Sequence, residues 1–69
     1  MQLYTRYTHE KRWVATSASE ALRMIEEEMP ETEAEATLRY IVSELEKGKR
    51  VTLGTCRFAT ESVVRGALN

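Results

Sequence analysis

The chain has 69 residues, ten Lys/Arg against eleven acidic residues and a net charge of -1, which sets a single small domain with a thin core. Its one cysteine, Cys56, excludes an internal disulfide, and a reducing compartment is expected. No charged-then-apolar leader opens the sequence and no run nears the roughly 18 apolar residues of a membrane span, so a soluble, cytoplasmic protein without a membrane partner is expected.

From Met1 to Thr8, Leu3, Thr5 and Tyr7 alternate with Gln2, Tyr4, Arg6 and Thr8, the period of a strand. His9-Glu10-Lys11 is a short polar turn, and Arg12 to Thr16 offers a second strand around Trp13 and Val14, completing an N-terminal hairpin. No Asn-Gly or Asp-Gly pair fixes the turn, which leaves the register open.

Ser17 to Gly48 predicts two amphipathic helices joined at Met29-Pro30. Both starts carry Ser/Thr followed three residues later by Glu, Ser17 with Glu20 and Thr32 with Glu35, the spacing of a capping box. In the first helix Ala18, Ala21, Leu22, Ile25 and Met29 share a face; in the second Ala34, Leu38, Ile41 and Leu45 do, widened by Val42. Pro30 stops the first helix. Gly48 supplies a left-handed cap to the second, with Lys47 near its negative end.

Arg50 to Phe58 is strand-like again, and its apolar parity changes at Gly54, which a bulge would accommodate. Thr60 can open a short final helix to Leu68, with Val63, Val64 and Ala67 inward. The pattern is therefore α+β, ββααβ(α): a hairpin, an antiparallel helix pair, a third strand and a short C-terminal helix, the helix pair covering one face of a three-stranded sheet. The third strand should run parallel to the first and antiparallel to the second, beside either. Leu3, Tyr7, Trp13, Leu22, Ile25, Leu38, Ile41, Leu45, Val51, Leu53 and Phe58 form the expected core. The opposite face carries Tyr4 and Arg6, or Leu3, Thr5 and Tyr7, together with Trp13 or Val14. A chain this small often gains burial by pairing, so a homodimer or a monomer that binds a partner is expected.

Charge is segregated. Residues 20 to 35 hold seven Glu against Arg23 alone, while the rest holds four Glu against nine Lys/Arg. A solvated helix face explains this acid in part, since Glu31, Glu33 and Glu35 near a helix start also suit the macrodipole. Catalytic patterns are absent. His9 lies in a turn without a Cys or Asp neighbour, Cys56 sits within a strand as a small hydrophobe, and the chain has no Asp for a calcium loop. No Cys/His pair is spaced for zinc, no cofactor fingerprint occurs, and Gly48, Gly54 and Gly66 match no phosphate loop. The expectation is a protein that is not an enzyme and has no cofactor.

Two binding roles follow. The first is a small protein-binding regulator or inhibitor, a phage or mobile-element accessory protein in kind, that blocks a larger host protein. Its acidic helix corner, Glu27, Glu28, Glu31 and Glu35, would bind, or its sheet face and edge at Tyr4, Arg6 and Trp13. In a variant of this role, the Glu-rich segment imitates phosphate charge in the groove of a nucleic-acid-binding protein. The second role rests on a strand followed by two helices, Trp13 to Lys47, which superficially resembles the ribbon-helix-helix repressors. That resemblance implies a DNA-binding dimer with Gln2, Tyr4 and Arg6, or Arg12 and Val14, at base edges, and a basic patch of Lys11, Arg12, Lys47, Lys49, Arg50 and Arg57. Strand-like runs outside the matching stretch and an acidic first helix depart from the family's pattern.

Overall fold

The computed structural model describes the backbone of residues 1–68 and the side chains of residues 1–66. The order is β1 (Leu3–Tyr7), β2 (Val14–Thr16), α1 (Ala18–Glu28), α2 (Ala34–Glu46), β3 (Val51–Leu53), β4 (Cys56–Thr60) and α3 (Glu61–Leu68). This is an α+β fold, with four strands where three were expected. The difference lies at Gly54: its φ of +58° turns the chain, so Val51–Leu53 and Cys56–Thr60 pair as a hairpin in place of one bulged strand. The strand order is β2-β1-β4-β3, antiparallel throughout. β3 does run in the direction of β1, but β4 stands between them.

Strand alternation divides the sheet. Leu3, Thr5 and Tyr7 face the helix pair together with Cys56 and Phe58, and Val51 and Leu53 pack on the same cluster. Tyr4, Arg6, Ala15, Thr52, Arg57 and Ala59 have the other parity. Ala59 is nonetheless fully buried, and α3, which contacts β1 and β4 and buries Val64, covers that end of the outer face. The inward placement expected for Ala67 lies outside the residues whose side chains are described.

α1 begins as expected. Ser17 Oγ accepts from the Glu20 N–H at 3.1 Å, and the Glu20 carboxylate accepts from the Ser17 N–H at 3.1 Å. Its buried face is Ala21, Met24 and Ile25, one step round from the expected stripe; Ala18 is exposed and Met29 is 37% exposed. The second capping box does not form. Thr32 closes the interhelical turn by donating its N–H and its hydroxyl to the Met29 carbonyl, at 3.1 and 2.9 Å, and Glu33 becomes the helix cap without a side-chain bond. α2 buries Ile41 and Leu45, with Ala34, Leu38 and Val42 against the same cluster. It ends in a Schellman motif: the Gly48 N–H donates to Leu45 and the Lys49 N–H to Glu44, with Gly48 at φ +83°.

Phe58, Ile25, Ile41, Leu45 and Cys56 are the largest fully buried side chains. Trp13 and Leu22 lie outside this cluster, against expectation, because Trp13 precedes β2 at the sheet edge and Leu22 opens onto the interhelical cleft. One polar pair is buried on the helix-facing side. Thr16 Oγ1 spends its proton on the Val14 carbonyl at 2.8 Å, so Thr5 donates to Thr16 Oγ1, 2.6 Å away. Thr16→Val should therefore cost about 1–2 kcal/mol by orphaning the Thr5 hydroxyl, and Thr5→Val/Thr16→Val should recover part of that loss in urea unfolding.

Candidate functional site

The acidic corner separates into two parts because Glu28 falls on the inward stripe of α1. It follows Ala21, Met24 and Ile25 at spacings of seven, four and three, and is half-buried. Its Oε1 accepts from the Thr55 N–H at 2.9 Å, from the Thr55 hydroxyl, and from Cys56 Sγ at 3.7 Å. These bonds, the Thr55 hydroxyl first and its N–H second, hold the Glu28 carboxyl below its ordinary pKa. The turn permits the approach only because residue 54 is glycine: a Cβ there would stand 2.5 Å from Glu28 Oε2. Glu28 thus ties the end of α1 to the β3–β4 turn and is engaged within the chain.

Exposed Glu remains around the helix junction. Glu26, Glu33 and Glu35 line an open cleft of about 400 Å³ with Leu22, Pro30, Thr32 and Ala34. Glu31 stands at the turn, beside Glu28, Met29 and Pro30. Glu27 lies toward the strands, where its charge helps to raise the Tyr7 and Cys56 pKa values, in both of which burial is the larger cause. Glu27, Glu31 and Glu35 are therefore exposed without sharing one pocket. Glu26 and Glu33 stand outside the corner expected from the sequence, although Glu26 is four residues beyond Leu22 and Glu33 opens the second helix. Among the described residues the ion pairs are Glu44 with Lys47 and Lys49, and Glu61 with Arg65; no Glu of the junction takes part.

The sheet residues do come together. Tyr4 and Arg6 lie on the outer face, and the Arg6 guanidinium sits 5.3 Å over the Trp13 ring while donating to the Glu10 carbonyl. Across the strands Arg6 faces Arg57, and Thr52 follows in the same row. Of the basic residues, Lys47 and Lys49 are held by Glu44.

Two side chains with catalytic chemistry have structural surroundings. His9 stacks on Tyr7 with centroids 5.8 Å apart. Burial, then the Glu28 charge, pushes the Cys56 thiol up to about 11, so it is a thiol that donates to Glu28. No group of three or more His, Cys or Glu gathers to hold a metal among the described residues, and no helix there is long and apolar enough to cross a membrane. Comparison with known proteins finds no matching family model, no matching curated protein and no matching solved structure.

Because the Glu28 pKa is depressed in the folded chain, its contribution to stability is full above the ordinary glutamate value of 4.5 and is lost as the pH falls through the lowered one. Glu20 and Glu44 are lowered too, through Ser17 and Lys47, and act in the same direction. In Glu28→Gln, urea unfolding followed against pH should show a shallower loss of stability below pH 4.5 than the parent, with a residue left from Glu20 and Glu44. Gly54→Ala should destabilise more than Gly48→Ala, whose added Cβ meets nothing within 4 Å. The excess should shrink in a Glu28→Ala background, measured as a double-mutant cycle.

Proposed function

We propose that the chain is a small protein-binding regulator or inhibitor that docks a basic surface of a larger protein against the acidic corner between α1 and α2. The observation that supports this most is the cleft at the helix junction, where Leu22, Pro30 and Ala34 lie beside Glu26, Glu33 and Glu35, none of them in an ion pair among the described residues. A partner lysine or arginine finds there an apolar bed for its stem and carboxylates for its head. Glu31 and Glu27 extend the negative charge beyond the cleft, and Glu28 acts indirectly by holding the hairpin in place. Blocking a larger host protein, as phage and mobile-element accessory proteins do, requires no chemistry beyond such a surface, and imitation of phosphate charge in a nucleic-acid-binding groove is one form of it.

Augmentation at the sheet edges has less support. β2 and β3 are each three residues long and follow basic pairs, Lys11-Arg12 before Trp13 and Lys49-Arg50 directly before β3, features that discourage pairing. If the chain does form a homodimer, the β2 edge, where Val14 is 59% exposed, is the place for it. The ribbon-helix-helix alternative is weaker as well, since β2, the strand before the helix pair, is already bonded along β1 within one four-stranded sheet.

Affinity capture from the natural host with the parent chain and with Glu26→Lys/Glu33→Lys/Glu35→Lys tests the proposal. A partner retained by the parent should be lost by at least about tenfold in the reversed variant and released by salt. Equal retention by both would overturn it.

A further inference from the structure

We infer that the outer face of the sheet, beside α3, binds single-stranded nucleic acid, with Arg6 and Arg57 on phosphates and Trp13 and Tyr4 against bases. Arg6 and Arg57 stand directly opposite each other on β1 and β4, an arrangement that repels. Neither is in an ion pair among the described residues; the Arg6 guanidinium has only the Glu10 carbonyl and the Trp13 ring. No strand position of this parity, from Tyr4, Arg6 and Ala15 to Thr52, Arg57 and Ala59, holds a carboxylate. The fold engages Arg6 with a carbonyl and a ring but sets no carboxylate against either arginine among the described residues, so the face keeps a positive charge that an anion would neutralise.

The kind of anion follows from the aromatic groups and the shape. Trp13 is half-buried under Arg6, and Tyr4 is half-buried two residues before Arg6 on the same face, so flat rings lie close to the charge. Arginines beside aromatic rings on an open sheet suit a flexible strand, whose bases stack while its phosphates follow the charge. A duplex fits poorly, because a groove admits a helix or a two-stranded ribbon, whereas Arg6 and Arg57 lie on the inner strands of a four-stranded sheet. The negative corner does not share this face: Glu26, Glu33 and Glu35 belong to the helix layer that covers the opposite side. The two surfaces can act independently.

Fluorescence anisotropy with labelled oligothymidylate and oligouridylate, at low and physiological salt, tests this directly. Binding is expected at low salt, with a log–log salt slope of about -1.4 if Arg6 and Arg57 neutralise about two phosphates. Arg57→Glu, which sets a carboxylate opposite Arg6 at an exposed position, and Trp13→Ala should each weaken binding at least about tenfold while keeping the parent's circular dichroism. Arg57→Gln is the milder second variant and should also weaken it. Glu26→Lys/Glu33→Lys/Glu35→Lys should bind no less tightly than the parent, so this result and that for the acidic corner are separable. Absence of binding at low salt, unchanged affinity in the folded Arg57 variants, tighter binding to duplex, or equal competition by polyglutamate would each overturn the inference, the last by assigning the face to an acidic protein.

Discussion

The bond between Glu28 and the β3–β4 turn joins the two layers of this small protein at one point. Everything about that contact depends on something else in the chain. The helix must end where it does for the carboxylate to reach Thr55, and the turn must have glycine at position 54 for the carboxylate to lie against it. The exposed turn amide gains an acceptor, and the carboxylate gains three donors that keep it ionised. Within so thin a core, a polar contact that orients a hairpin supplements what Phe58, Ile25 and Ile41 supply by burial.

With Glu28 withdrawn, the remaining charge sorts by layer. The helix junction is acidic and partly apolar, and the outer sheet face is basic and aromatic. A net charge of -1 conceals this, because the sum says nothing about placement. The two surfaces differ in sign, and among the described residues Glu26, Glu33, Glu35, Arg6 and Arg57 take part in no ion pair.

Some local features were plain in the residues. Ser17 with Glu20 formed its capping box and Gly48 its left-handed cap, since each depends on neighbours within a few positions. Thr32 with Glu35 has the same spacing and formed none, because the turn after Pro30 claimed Thr32 for the Met29 carbonyl. The alternation allowed either Tyr4 and Arg6 or Leu3, Thr5 and Tyr7 on the outer face; strand pairing decided for Tyr4 and Arg6 and brought Arg57 beside them. Glu28 looks like surface charge beside Glu27 in a run of three glutamates, yet its spacing from Ala21, Met24 and Ile25 places it on the inward stripe.

The sequence by itself determined the α+β class, the helix pair with its Pro30 break, and the segregation of charge, all of which rest on periodicity, capping and composition over short range. Only the tertiary structure decided that Gly54 is a hairpin turn, that β4 lies between β1 and β3, and that Glu28 is bound to Thr55. The physical reason is distance along the chain: a glycine is compatible with bulge or turn alike, and β4 is set by its pairing with β1 at the far end of the sequence, which no local pattern encodes.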